Sequence, residues 1–211
     1  MSAGRLVVRD DAEVPSTAIA EYEATRRDLV RGGLLGGLAC VGASVVPLLL
    51  GVRNAFAQVS GDAPAIAAAL DLEQRMVFAY GAALGAAGLD RATRSMLSLL
   101  RGHERQHAGE MLVDLQQISG TPPASPQRAS ELRGAALGLA GASTRHEILT
   151  FAAELEAMAI ASYRDAMAHL SDARAIQSAA TVMAAEGQHL VLLRTALARE
   201  PIPTGLEVGR V

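Results

Sequence analysis

Four stretches of the chain repeat apolar positions at steps of three and four, the spacing of a helix that buries one face in a bundle. The first covers about residues 63–87 and puts Ile66, Leu70, Val77 and Leu84 on one stripe. The second, about 90–118, does so with Leu97, Leu100, Met111 and Ile118. The third opens at Ser143-Thr144 and runs through Leu149, Ala153, Ile160 and Met167. The fourth opens at Ser171-Asp172, passes Val182 and Leu193, and stops before Pro201. Asp90 and Asp172 sit where N-caps belong, and Thr144 with Glu147 has capping-box spacing. Gly88-Leu89-Asp90 leaves room for a turn of two or three residues, so the first two helices are expected to be antiparallel neighbours. Residues 120–142 are far longer than a turn needs. They begin with the loop Gly120-Thr121-Pro122-Pro123-Ala124-Ser125-Pro126, allow a short helix over 129–140, and suffice to cross the length of a bundle. The pattern predicts an all-α protein, an antiparallel four-helix bundle with a long crossover between its second and third helices.

Each stripe is interrupted by residues that do not belong in an apolar seam. The first carries Glu73 and Tyr80, and the third repeats them as Glu156 and Tyr163, 83 residues on. The second carries Glu104 and His107, and the fourth repeats them as Glu186 and His189, 82 residues on. With thirteen Glu and five His in the chain, chance predicts fewer than one Glu-x-x-His. Two of them, each following a seam Glu in the same register, indicate one helical hairpin used twice.

Glu and His three apart lie one turn apart on one helix face, so both reach the same ion. A Glu from each remaining helix can bridge or terminate the pair. A carboxylate inside an apolar seam is costly unless it is paired, protonated or coordinated, and four facing one another repel without cations between them. The candidate metal ligands are therefore Glu73, Glu104, His107, Glu156, Glu186 and His189. Tyr80 and Tyr163, two turns from Glu73 and Glu156, can hydrogen-bond a ligand carboxylate or simply pack in the core. His103, His146 and His169 have no partner at ligand spacing and are expected at the surface or beside the site, without a metal role. Glu110, Glu147 and Glu154 are expected to face solvent, and Arg75 and Arg105 to reach water. Met76, Met111 and Met167 are expected in the core or at its edge.

Composition narrows the chemistry. Half the residues are apolar, 3% are aromatic, Trp and Lys are absent, and all 19 basic residues are Arg. A net charge of −3 gives no footprint for nucleic acid. The single Cys, Cys40, excludes an intrachain disulfide framework and a cysteine-rich zinc or iron–sulfur site.

The N-terminal quarter has a different character. Residues 1–24 are polar and expected to be disordered. Thr25-Arg26-Arg27-Asp28-Leu29-Val30 precedes an apolar, Gly-rich run over 32–51, and Ala55-Phe56-Ala57 follows. This resembles a twin-arginine export signal, with Arg26 and Arg27 as the pair and cleavage after Ala57. The acidic leader before the pair departs from that pattern. The alternatives are an uncleaved membrane anchor formed by residues 32–51 and lipid attachment at Cys40. The domain plan is a leader and signal over 1–57, a bundle over 58–200 and an extended tail over 201–211.

With these motifs in place, residues 58–200 resemble the ferritin-like superfamily, and specifically its exported, non-cage members that carry a twin-arginine signal. The resemblance implies a binuclear site in the middle of the bundle, two Fe ions as its usual content, and O2 or peroxide as reaction partners. It implies the export machinery as a partner of the precursor and an extracytoplasmic location. No fifth helix follows the bundle to support a storage shell, and no Cys pairs supply a rubredoxin-like centre. Ferroxidase-like oxidation of Fe(II) is the simplest reaction such a centre carries out. A di-manganese, catalase-like enzyme uses nearly the same ligands, and a metal-holding or interaction bundle of the cell envelope without turnover is the third reading. Ala-rich outer faces leave a homodimer open.

Overall fold

A computed structural model describes residues 61–209, and all regular structure in them is helical. The elements are α1 (Asp62–Ala83), α2 (Arg91–Gln117), a 3-10 turn (Ala129–Glu131), α3 (Gly134–Gly141), α4 (Arg145–Met167) and α5 (Ala173–Ala196). Helix α1 packs along α2, and α4 along α5, as two hairpins. The hairpins meet with α1 on α4 and α2 on α5, while α3 lies on α1 and α4. The four-helix bundle with a long crossover is thus present, and the short helix expected over 129–140 is the 3-10 turn plus α3. The arginine pair Arg26-Arg27, the cleavage position at Ala57, Cys40 and the apolar run 32–51 lie outside the described residues. Among the described residues, no helix is long and apolar enough to cross a membrane.

The expected caps form. Asp90 accepts a hydrogen bond from the Thr93 amide at 2.8 Å, and Asp172 from the Ala175 amide at 2.9 Å. Thr144 and Glu147 make the reciprocal capping box, joining each side chain to the other's backbone N–H. One boundary differs: α1 ends at Ala83 rather than near residue 87. Gly85 and Ala86 turn back onto the carbonyls of Ala82 and Ala83, Arg94 donates to the Leu84 carbonyl at 2.6 Å, and Gly88 takes a positive φ of 82°. Only glycine adopts that backbone readily, so the connection over 84–90 is longer than the expected turn.

Arg75 also departs from expectation. It keeps 32% of its side chain exposed, but it also pairs with Asp71 at 2.7 Å and hydrogen-bonds the Glu131 carbonyl, tying the crossover to α1. The tail after α5 is held as well: Arg164 donates to the Val208 carbonyl at 2.7 Å, and Arg194 pairs with Glu207 at 2.7 Å. Gly209, at φ 70°, lies so close to the backbone of Ala157 and Ala161 that a Cβ would collide. Crossover and tail together explain why α4 is buried on nearly every side, from Ile148 and Leu149 through Leu155 to Tyr163.

The apolar interior forms two clusters. One gathers Leu72, Met76, Tyr80, Leu97, Leu100, Leu155 and Leu193. The other gathers Ile66, Leu70, Met111, Leu115, Tyr163 and Val182. Met76 and Met111 are core residues, and Met167 packs at the edge, as expected. Replacing Thr144 by Val removes the cap of α4 while keeping its shape. Urea denaturation of Thr144→Val should show a loss of about 1 kcal/mol, with an unchanged m-value.

Candidate metal centre

The residues that interrupt the four apolar stripes meet in one layer of the bundle. Glu73, Glu104, Glu156 and Glu186 each have 0% exposure, and His189 has 2%. His107 keeps 11% of its side chain exposed. His107 Nδ1 lies 3.0 Å from Glu186 Oε1, 3.2 Å from Glu104 Oε2 and 3.6 Å from Glu73 Oε2. His189 Nδ1 lies 2.9 Å from Glu186 Oε2, 3.2 Å from Glu104 Oε1 and 3.4 Å from Glu156 Oε2. The helix spacing has brought all six residues together.

Helix direction explains the pairing. Glu104 with His189, and His107 with Glu186, have residue numbers that add to the same total, as on two antiparallel helices at fixed register. The same holds for Tyr80 with Glu156 and Tyr163 with Glu73. The Tyr163 hydroxyl donates to Glu73 Oε1 at 2.5 Å, and the Tyr80 hydroxyl donates to Glu156 Oε1. The tyrosines therefore serve site carboxylates, as one of the two sequence readings had it. Each serves the Glu of the opposite helix, because antiparallel α1 and α4 bring the C-terminal part of one beside the middle of the other.

Two overlapping groups of ligand atoms result, each with all four atoms within 4.8 Å of one another: Glu73, Glu104, His107 and Glu186, and Glu104, Glu156, Glu186 and His189. Glu104 and Glu186 belong to both. The fit to metal ions rests on atoms left without hydrogen bonds. Glu73 Oε2, Glu104 Oε1, Glu156 Oε2, both Glu186 oxygens and His189 Nδ1 are buried and have none. The close approaches of His189 Nδ1 to the carboxylates are charge contacts without hydrogen-bond alignment. Buried polar atoms are nearly always paired, so orphans converging on one space mark a place for cations. Buried oxygens and imidazole nitrogens can hold metal ions there.

Without metal, protons take the cations' place. Burial, reinforced by repulsion from Glu186 and Glu104, pushes the Glu73 carboxyl well above its ordinary range, against a partial opposing pull from His107. Burial and the same two neighbours raise Glu156. Burial would raise Glu186 too, but the close approach of Glu156, His107 and His189 outweighs it and holds that carboxylate ionised. Burial would depress both imidazoles. The surrounding carboxylates reverse this and push His107 and His189 up to about 12. Burial first, and then the facing carboxylates, raise both tyrosines well above 10, so the phenols keep the protons they donate.

Other positions are less uniform. His146 and His169 are exposed, as are Arg105, Glu110 and Glu147. Glu154 is half-buried rather than solvent-facing, lining a pocket with Arg194, Arg199 and Pro203 beneath the tail. His103 is half-buried, its Nδ1 2.9 Å from His189 Nε2. It stands four residues before His107, one turn up the same face, and that spacing was the available signal for it. Asp114, 4% exposed and paired with Arg174 at 2.8 Å, is a further buried carboxylate that the stripes did not single out.

Comparison with known proteins accords with this arrangement. The model of a family described as Ferritin-like domain matches residues 61–199. No curated protein matches the chain. A crystal structure of a conserved hypothetical protein from Mycobacterium tuberculosis aligns at a TM-score of 0.53 with 16% identity, covering 75% of this chain and 99% of that one. At that identity the likeness concerns the fold.

The proton inventory predicts a pH dependence. Each site imidazole is raised from 6.5 to about 12. Its contribution to stability is complete below pH 6.5 and is lost as pH rises toward 12. The raised carboxyls of Glu73 and Glu156 act in the same direction from a lower pH. In thermal melts under chelator, the metal-free protein should lose stability steadily between pH 6.5 and 9. Metal affinity should rise over the same interval, because binding displaces those protons.

Proposed function

This chain belongs to the ferritin-like domain family, and on that premise we propose that it is a di-iron carboxylate protein with ferroxidase-like activity toward O2 or peroxide. The observation that carries the reading is the pair of overlapping four-ligand groups with two shared carboxylates. Glu104 and Glu186, which belong to both groups, would be shared by the two ions. Glu73 with His107 would complete one group and Glu156 with His189 the other. Iron held there would supply two electrons together to an oxidant. The protein's own part is to fix the ligands and keep the layer dry. Tyr80 and Tyr163 donate to Glu156 and Glu73, so each of these carboxylates presents its other oxygen to the centre. The apolar clusters on both sides exclude bulk water from the layer. Manganese in the same ligands is the alternative content, with catalase-like chemistry.

Protein from cells supplied with both metals should contain about two Fe or Mn per chain. The variant Glu104→Ala plus Glu186→Ala should contain none, yet remain folded, because it removes two mutually repelling buried carboxylates. Wild-type levels of bound metal in that variant overturn the assignment. Oxygen consumption on adding Fe(II) supports the ferroxidase reading, and dioxygen release from peroxide supports the manganese alternative.

Export is part of the proposal and is supported by the residue pattern around Arg26-Arg27 and Ala55-Phe56-Ala57. Changing Arg26-Arg27 to Lys-Lys should leave the full-length precursor inside the cell, read by fractionation and immunoblotting. Unimpeded export removes the twin-arginine assignment.

A further inference from the structure

The two halves of the metal layer are not equivalent, and the difference lies in one side chain. His189 has a hydrogen-bond partner on its far nitrogen, for Nε2 stands 2.9 Å from His103 Nδ1. The rings of His103 and His189 lie nearly parallel, with centroids 5.1 Å apart. Among the described residues, no side chain hydrogen-bonds the far nitrogen of His107. The internal repeat shows why: the register that carries His107 onto His189 carries His103 onto Ala185, which has no polar atom to offer. The surroundings differ in the same sense. His189 is 2% exposed, whereas His107 keeps 11% of its side chain open and lines a surface cleft of about 530 Å³ with Gln106, Glu110, Arg174 and Ser178.

We infer that His103 is a positioning residue for His189, and that it makes the His189 half of the centre the tighter-binding one. This rests on the metal-site reading above. When His189 Nε2–H donates to His103 Nδ1, the ring cannot flip, and its Nδ1 lone pair points among Glu104, Glu156 and Glu186. That imidazole is then set before a metal arrives. His107 is hydrogen-bonded through Nδ1 to Glu104 Oε2 but has no such partner on its far nitrogen, and its ring forms part of the cleft wall. The His107 half is therefore the less restrained one, gives up its ion first, and exchanges it through the cleft.

A titration with Co(II) as the probe tests this. Its visible absorption reports coordination, and competition with a chelator reports affinity. The wild-type chain should take up two ions in separable steps. His103→Ala should weaken the tighter step by on the order of 10-fold or more and change its absorption band. The weaker step should be unaffected. His103→Gln, which can still accept from His189 Nε2–H through its side-chain carbonyl, should restore most of the lost affinity. Melting of the metal-free variants separates positioning from packing, and His103→Ala should melt near the wild type. Unaltered binding in His103→Ala overturns the inference. So does an equal loss at both steps accompanied by a lower melting temperature, which assigns His103 to packing. Failure of the wild-type chain itself to bind Co(II), Fe(II) or Mn(II) overturns the metal-site reading and the inference with it.

Discussion

Four carboxylates with no exposed surface share one layer of this bundle, and their mutual repulsion is the constraint around which the rest is arranged. Burying one ionised carboxylate without compensation costs several kcal/mol even after relaxation. Four facing one another cannot all be charged unless positive charge lies between them. The protein answers in two ways: two imidazoles aim Nδ1 into the layer, and two phenols hydrogen-bond its outer carboxylates. These groups leave several ligand oxygens unsatisfied, which is the arrangement a cation completes. The apolar clusters on either side supply the low dielectric that makes the unsatisfied state costly and the satisfied one strong.

Local pattern revealed most of this, for an identifiable reason. Steps of three and four fix which residues share a helix face, so Glu104 and His107, or Glu186 and His189, could be grouped without knowing where the helices lie. Repetition then selected Glu156 over Glu154, and the structure puts Glu156 in the layer and Glu154 at a half-buried position under the tail. The caps at Asp90, Thr144 and Asp172 were legible because a cap is read from residues within one turn.

What escaped the sequence depends on segments far apart in the chain. Arg75 lies off the seam and looks free, yet the crossover brings the Glu131 carbonyl to it. His103 has no ligand-spaced partner on its own helix beyond the His107 it precedes, because its partner, His189, comes from the other hairpin. The tyrosines were placed on the right residues' faces, but which carboxylate each would meet depended on the direction in which α1 and α4 cross. The early end of α1 follows from a positive φ at Gly88 and from Arg94 reaching back to Leu84, a contact across the turn rather than along the helix.

The exchange of tyrosines between the hairpins has a consequence for how the domain came together and how it can be taken apart. Neither hairpin finishes its own half of the centre: the phenol that steadies each outer carboxylate, and one of the three carboxylates around each imidazole, come from the other copy. A hairpin of this kind is self-complementary across a twofold axis. An ancestral half-length chain could therefore have assembled the whole layer by pairing with itself, and joining two copies through the crossover freed them to diverge. His103 opposite Ala185 is the kind of difference such divergence allows: one half carries a restraint that a strictly symmetric dimer would have to carry twice.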